Sequence, residues 1–369
     1  MKKTRALALQ ICVLFACCGI WMGHAAAAEG QSEGAQEFAN LGDFKLRSGA
    51  EIRDLHLGYR TMGQLNADKS NAILWPTWLG GKTEDLIRYA GPGNVVDTKR
   101  YFVIFVDSLA NGVTTSPSNS TLQPRLKYPE ITIRDMVDSE YELATTIFHL
   151  KHLHAVVGIS MGGMQAFEWS VAYPDFMDEV IAMAGSPQST SYDKLLWTAQ
   201  IDALRLDPEW RDGEGTKPMT SGLLVYNEIG SMSLTSPAYR VAHTPPQDFE
   251  AFLETLRRET SDASSACDSI RQRQAILSLD IPGEYGLTME EAAKRVHAKM
   301  LIFISPEDHT VNPAPALEFA RFVGAPVITL DSPCGHQSTA CISLGPVVAE
   351  FLTNPGGISS ATMRDGAGH

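Results

Sequence analysis

One segment, residues 155–167, constrains the fold of this chain more than any other. It reads Ala-Val-Val-Gly-Ile-Ser-Met-Gly-Gly-Met-Gln-Ala-Phe and places Ser160 between Gly158 and Gly162. A β-branched run precedes the serine, and an amphipathic, helix-prone stretch follows it to Tyr173. Small residues there let the backbone turn sharply and let strand and helix pack closely, so the serine hydroxyl is held out at the top of a sheet. The segment therefore predicts a nucleophile elbow.

Apolar runs on both sides of the elbow predict the sheet to which it belongs. Phe44–Gly63 alternates apolar and polar residues and predicts a β-hairpin, whereas Tyr101–Val106 is continuously apolar and suits an inner parallel strand. The other predicted elements are strands at Ile73–Pro76, Glu179–Ala184, Ala298–Ile304 and Pro326–Leu330 and a helix at Thr132–Leu150. Together with the elbow they predict an α/β-hydrolase fold, with a mostly parallel central sheet flanked by helices.

Changes of pattern along the chain predict its domain organisation. Residues 186–296 replace the strand–helix alternation with helical segments and turns, and they are too long for a connection. They therefore predict a helical cap inserted into the α/β-hydrolase core, which comprises residues 41–185 and 297–353. Residues 29–40 are expected to be a polar linker, and the Gly/Ser-rich residues 354–369 a disordered tail.

The first 28 residues have the pattern of a bacterial secretory signal peptide. A basic start, the apolar run Ala6–Gly23 and four alanines at 25–28 predict cleavage after Ala26 or Ala28 and a periplasmic or secreted protein. The alternative is an uncleaved membrane anchor, but the apolar run is barely long enough to span. No other segment is apolar enough for stable membrane insertion. The formal charge of −13 argues against nucleic acid and anionic membrane surfaces as partners.

Three cysteines remain once the signal peptide is removed, namely Cys267, Cys334 and Cys341. An odd count in an oxidising compartment allows one bridge and one free thiol. A bridge between Cys334 and Cys341 would staple the loop that contains His336, but two buried thiols are an equally good account. The spacing matches no zinc pattern, so no metal site is predicted.

An elbow serine needs a base to accept its proton and an acid to orient that base. In this fold the partners follow in the order Ser, Asp, His, each on a loop after a strand. Asp308 and His336 occupy those places, after Lys299–Ile304 and Val327–Leu330. The sequence thus predicts Ser160 as nucleophile, Asp308 as orienting acid and His336 as general base. Glu307 and Asp331 are competing acids.

The oxyanion that forms during acyl transfer needs two backbone N–H donors. One comes from the residue after the nucleophile and one from the loop after the third strand. These positions are Met161 and Leu79, and the glycines at 80 and 81 would let the loop lie close to a substrate carbonyl.

Three long motifs carry a resemblance to a known family. They are Gly91-Pro-Gly-Asn-Val-Val-Asp-Thr-Lys-Arg-Tyr-Phe-Val-Ile, Ile131-Thr-Ile-Arg-Asp-Met-Val, and the elbow segment extended to Trp169. They resemble the homoserine O-acetyltransferase family of α/β-hydrolases, strongly over Leu41–Gly185 and again over Lys299–Leu344, and weakly through the cap. The resemblance implies the same nucleophile, acid and base. It also implies an acetyl-CoA donor and a homoserine acceptor.

Four departures separate this chain from the family pattern. The cap stretch Thr220–Ile229 lacks the arginine that typically holds the acceptor carboxylate, and Gln337 replaces the usual aspartate after the base histidine. The loop Pro76–Gly81 differs from the usual His-x-Leu-x-Gly type. Acetyl-CoA is a cytoplasmic metabolite, whereas this chain is expected to be exported.

The leading hypothesis is therefore an exported serine hydrolase that cleaves a small-molecule acyl substrate, an ester, through an acyl-Ser160 intermediate. It requires no cofactor. The alternative is an O-acyltransferase that moves an acyl group from acyl-CoA, as co-substrate, to homoserine or another hydroxylated acceptor. A third hypothesis is a binding protein on a degenerate hydrolase fold. An apolar cap face is compatible with a homodimer.

Overall fold

The computed structural model describes residues 33–365. The predicted signal peptide, residues 1–28, lies outside the described residues, as do residues 29–32 of the predicted linker and residues 366–369 of the predicted tail. Within residues 33–365, no helix is long and apolar enough to cross a membrane.

The described part of the chain is built on one nine-stranded sheet with the order β1-β2-β4-β3-β5-β6-β7-β8-β9. β1 and β2 form an antiparallel hairpin, β2 pairs antiparallel with β4, and all the other neighbours are parallel. The strands are β1 (Glu37–Lys45), β2 (Glu51–Met62), β3 (Ala72–Pro76), β4 (Phe102–Val106), β5 (Leu153–Ile159), β6 (Met177–Met183), β7 (Lys299–Ile304), β8 (Val327–Asp331) and β9 (Ala361–Arg364). The predicted mostly parallel sheet is confirmed.

Helices cover both faces of this sheet. Successive residues of the inner strands point to opposite sides, so that Leu74 and Val156 pack in one apolar cluster and Ile73 and Ala155 in a second cluster. Both faces of the sheet are therefore shielded from water, which explains the continuous apolar runs in the sequence. The helices are α1 (Thr83–Leu86), α2 (Ile133–Glu142), α3 (Met161–Ala172), α4 (Ser191–Arg205), α5 (Ser221–Leu234), α6 (Pro237–His243), α7 (Phe249–Arg257), α8 (Ala263–Leu277), α9 (Ile281–Glu284), α10 (Met289–Lys294), α11 (Ala314–Val323), α12 (Ser338–Cys341) and α13 (Gly345–Phe351).

Between β6 and β7 the chain forms helices α4 to α10. Part of this insertion has an apolar cluster of its own, which includes Leu204, Trp210, Leu223 and Ile270. Polar side chains link the insertion to the core: Gln272 of α8 donates through Nε2 to the Leu109 carbonyl at 3.0 Å.

Two predicted boundaries are wrong. The linker was expected to extend to residue 40, but β1 begins at Glu37, whose carboxylate accepts a hydrogen bond from the Tyr59 hydroxyl of β2. The tail was expected to be disordered from residue 354, but Ala361–Arg364 pairs in parallel with β8 as the edge strand β9. Met363 packs on the second apolar cluster, and Arg364 pairs with Asp331, so contacts with distant residues order a segment whose local composition favours disorder.

Candidate active site

Ser160 stands at a strained turn between β5 and α3. Its backbone has φ 58° and ψ −122°, a region that side-chain-bearing residues rarely adopt, and its N–H donates to the Met183 carbonyl at 2.8 Å. The turn brings Gly158 so close to Gly162 that a Cβ on Gly158 would lie 1.9 Å from the Gly162 carbonyl oxygen. A glycine is therefore required at position 158, as the predicted elbow demands.

His336 lies on the loop after β8, in a short 3-10 turn at residues 335–337. The loop enters this turn at Gly335, which has φ 61°, and a Cβ there would lie 2.9 Å from the Glu307 carbonyl oxygen. A disulfide between Cys334 and Cys341 brackets the histidine. Of the two accounts that the sequence left open for these cysteines, the structure has the bridge. Cys267 is a buried free thiol.

Asp308 lies on the loop after β7 and is held by its own backbone surroundings. Its Oδ1 accepts hydrogen bonds from the N–H groups of Thr310 and Val311, both at 2.8 Å. Its Oδ2 lies 2.7 Å from Nδ1 of His336. Because a carboxylate can only accept, Nδ1 carries the hydrogen in this contact, which in the neutral imidazole leaves a lone pair on Nε2.

The three side chains form one hydrogen-bonded chain. Nε2 of His336 lies 2.8 Å from Oγ of Ser160, and His336 and Asp308 are only 8% and 7% exposed. The competing acids do not join it, because Glu307 is exposed and Asp331 pairs with Arg364. The structure thus brings together the three residues to which the sequence assigns catalytic roles. The roles themselves stay predictions.

The loop after β3 contains the predicted oxyanion donor Leu79, which lines the same cleft as Ser160. The next N–H, that of Gly80, donates to Oε1 of Gln272 at 2.7 Å. The other predicted donor, Met161, is the fully buried first residue of α3. The donor function of Leu79 and Met161 stays a prediction.

Ser160 and His336 open into a cleft of about 560 Å³ between core and cap. Trp78, Leu79 and Tyr89 line its core side. The cap side is lined by side chains of four helices, α4, α5, α7 and α8, which include Trp197, Gln200, Tyr226, Asn227, Leu256 and Arg273. A cleft of this volume can enclose a small-molecule ligand.

Sequence reasoning missed Arg273. The family pattern predicts a cap arginine within Thr220–Ile229, which here supplies Tyr226 and Asn227 to the cleft, whereas Arg273 comes from α8. A signal was present, because arginine is rarely buried and α8 has two arginines among apolar residues. Among residues 33–365, no cluster of His, Cys, Asp or Glu has the composition of a metal site.

Comparisons with known proteins identify the family to which this chain belongs. A model of the α/β-hydrolase fold matches residues 89–215. The chain is 33% identical to an ethyl acetate hydrolase of Pseudomonas veronii over 57% of its own length, and the match spans 61% of that relative's length. It is 35% identical to a homoserine O-acetyltransferase of Methanohalobium evestigatum, over 84% of this chain and 71% of that relative.

Solved structures agree with the observed architecture. The acetyl esterase MekB superposes with a TM-score of 0.79 at 25% identity and covers 87% of this chain and 98% of its own. The homoserine O-acetyltransferase of Bacillus anthracis also has a TM-score of 0.79, at 24% identity, over 90% of this chain and 100% of its own, which shows the shared fold. The chain belongs to the homoserine O-acetyltransferase-like family of α/β-hydrolase-fold enzymes.

Proposed function

We propose that this protein is an exported serine hydrolase that cleaves esters through an acyl-Ser160 intermediate. The observation that carries the proposal is the hydrogen-bonded chain from Ser160 through His336 to Asp308, at the edge of a cleft large enough for a small ester. An unassisted serine hydroxyl is a weak nucleophile, and this arrangement supplies the base and the acid that it needs.

The proposed reaction has two halves. Oγ of Ser160 attacks the ester carbonyl while Nε2 of His336 takes the hydroxyl proton, and N–H groups of Leu79 and Met161 stabilise the oxyanion. The imidazolium, which Asp308 stabilises, then protonates the leaving alkoxide, and the acyl group stays on Ser160. Water attacks the acyl-serine with His336 again as base. The carboxylic acid leaves and the serine is restored.

Gln337 follows His336, where the family pattern has an aspartate, and this difference favours water over an alcohol as the group that resolves the acyl-enzyme. The ethyl acetate hydrolase among the relatives supports the same choice. Export, suggested by residues 1–28, separates the protein from cytoplasmic acyl-CoA. The Cys334–Cys341 bridge suits an oxidising compartment.

The second candidate function is O-acyl transfer to homoserine or another hydroxylated acceptor, with acyl-CoA as the co-substrate. It is favoured by the 35% identity to a homoserine O-acetyltransferase over 84% of the chain. Both candidates share the acyl-serine and differ only in what attacks it.

A fluorophosphonate probe followed by an ester panel tests the proposal. The mature protein and Ser160→Ala are labelled, and short-chain esters are assayed with and without homoserine and acetyl-CoA. We expect labelling and ester hydrolysis that both need Ser160 and that do not need homoserine. Ser231→Ala, which removes another hydroxyl of the same cleft, is the matched control and is expected to be labelled like the parent.

Each contrary result points to a different function. Consumption of acetyl-CoA that requires homoserine would replace hydrolysis by acyl transfer. Absence of Ser160-dependent labelling would remove both enzymatic functions and leave a binding protein on this fold. Expression of the full chain with its first 28 residues, followed by fractionation, tests export through the appearance of a shortened form outside the cytoplasm.

A further inference from the structure

A buried arginine without a carboxylate partner forms part of the cap side of the cleft. Arg273 is 6% exposed and lines the same cleft as Ser160. Within residues 33–365 it forms no ion pair, and burial lowers the pKa of its guanidinium with only Tyr226 acting against that effect. Burying a cation is costly unless an opposite charge compensates it. The rings of Trp197 and Tyr226, whose centroids lie 5.7 and 4.6 Å from the guanidinium carbon, offset part of this cost, but no acidic residue among residues 33–365 does.

The hydrogen bonds of the Arg273 guanidinium leave mainly hydrogen-bond donors facing the cleft. Three of the five N–H groups of a guanidinium are used here: Nε donates to Oε1 of Gln200 at 2.9 Å, Nη1 to the Ser269 carbonyl at 3.2 Å, and Nη2 to the Tyr226 hydroxyl. Because Gln200 and Tyr226 accept from Arg273, the amide N–H₂ of one and the hydroxyl hydrogen of the other remain as donors. Both side chains also line the cleft. Convergent donors around a cation match a carboxylate.

A second arginine on the same helix shows what a purely structural guanidinium looks like here. Arg271 is also 6% exposed, but it donates to the carbonyls of Tyr128 and Leu126 and lies 3.6 Å from Glu130. It faces away from the cleft and joins cap to core. Arg273 has one carbonyl partner, from its own helix, and no acidic one.

The net charge of the chain is negative, so binding of an anion in the cleft would depend on a cation close by. With a formal charge of −13, the protein does not attract anions at long range. Two other charged residues line the cleft, Arg88 and Glu259, and both are exposed, so water weakens their effect on a bound ligand. Arg273 is the buried charge of the cleft among the described residues.

We propose that Arg273, together with Gln200 and Tyr226, binds a carboxylate of the substrate, so that this protein acts on esters that carry a carboxylate as well as the scissile bond. The inference rests on the proposed ester hydrolysis and names its substrate class. The cavity admits that carboxylate in either the acyl or the alcohol portion of the ester.

Two pairs of esters, each nearly isosteric, test the proposal. Monoethyl glutarate is compared with ethyl hexanoate, and 4-acetoxybutanoate with pentyl acetate, with acid release followed in a pH-stat. In at least one pair we expect kcat/KM to be about 10- to 100-fold higher for the anionic ester, the range that a charge-assisted hydrogen bond contributes. Arg273→Met is expected to bring the ratio of kcat/KM between the anionic and the neutral ester of that pair down to about one.

Arg271→Met is the matched control, because it removes an equally buried arginine of the same helix that does not face the cleft. It is expected to keep the preference. Where Arg273→Met fails to fold, the parent protein decides the matter: glutarate, but not glutaramide, is expected to inhibit hydrolysis of ethyl hexanoate competitively.

The proposal is overturned if neither pair shows a preference above threefold and glutarate does not inhibit, in protein that is labelled at Ser160. Failure of the proposed hydrolysis looks different, since none of the four esters would then be cleaved. In that case calorimetric titration of Ser160→Ala with glutarate still decides whether the anion site exists, and absence of binding overturns it.

Discussion

At the scale of single residues, the backbone of Ser160 carries the strongest constraint. Its positive φ places the hydroxyl towards His336, and a side chain in such a region costs about 1–3 kcal/mol. The N–H bond to Met183 and the close packing at Gly158 hold the turn in place. The conformation of Ser160 therefore lowers the stability of the fold at the position where the proposed reaction needs the hydroxyl to point towards His336.

Ser160→Gly and Ser160→Ala separate strain from chemistry. Both lack the hydroxyl and are expected to be inactive, but glycine adopts the observed φ and ψ without a Cβ penalty. We expect Ser160→Gly to be more stable than Ser160→Ala by about 1 kcal/mol, measured by chemical unfolding. Equal or lower stability of the glycine variant would show that the turn is not strained.

Glu140, on α2, predicts a pH dependence of stability. It is fully buried, its Oε2 accepts from Nε1 of Trp169 at 2.7 Å, and burial raises its pKa from 4.5 to about 8. The folded protein therefore holds a proton that the unfolded chain releases, and this contribution to the free energy of unfolding falls as the pH rises from about 4.5 to about 8.

Glu140→Gln removes the charge and keeps an acceptor for Trp169. We expect the variant to be more stable than the parent by about 1–3 kcal/mol at pH 9, with the difference vanishing towards pH 4.5. Unfolding curves at several pH values measure it. Glu318→Gln, at an exposed position, is the control and is expected to leave the pH profile unchanged.

At the scale of elements, the sequence predicted the parts that are locally encoded. The elbow, the inner strands and the order of Ser160, Asp308 and His336 follow from apolar runs and turn residues. The two ends of the sheet do not, because β1 extends to Glu37 and β9 forms at all only through pairing with strands far away in the chain. The helix expected at Thr132–Leu150 is α2 followed by a wider turn at Leu143–Ile147.

The Cys334–Cys341 disulfide is the element-scale feature with a direct consequence for the site. It closes a short loop, which stabilises the fold by about 2–3 kcal/mol in the chain-entropy account, and His336 lies inside that loop. We expect the double variant Cys334→Ala/Cys341→Ala to lose about 3- to 10-fold in kcat, because small displacements of a base are costly, with less change in KM.

Thiol reduction of the parent protein is expected to reproduce the effect of the double variant. Cys267→Ala, which removes the buried free thiol, serves as the control and should keep the parental kcat. Full kcat in protein whose loop thiols are shown to be reduced would contradict a positioning role for the bridge.

At the scale of the whole molecule, the core and the cap both supply residues to the cleft that contains Ser160. The sequence marks Arg273 only as one of two arginines among apolar residues, because α8 reaches the cleft only through the packing of the insertion on the core. The same helix supplies Gln272, which bonds both the Gly80 N–H and the Leu109 carbonyl. Gln272 of the cap helix α8 thus fixes the position of the loop that contains Leu79.

Gln272→Leu tests this coupling between cap and core. Loss of the contact to Gly80 is expected to loosen the Leu79 loop and to lower kcat about 10-fold, with KM changed less than threefold, because the oxyanion interaction is made in the transition state. Gln274→Leu, two residues further along α8 and bonded to Glu130, is the matched control. Equal losses in both variants would point to a general disturbance of the helix.

The bridge around His336 also bears on when activity begins. A newly made chain in a reducing cytoplasm has Ser160, Asp308 and His336 in its sequence but not the covalent ring that holds the last of them. If the proposed base depends on that ring, the proposed esterase activity is acquired in full only after oxidation, and the esters of the producing cell are spared until then. Synthesis and activity would then be separated by one thiol oxidation.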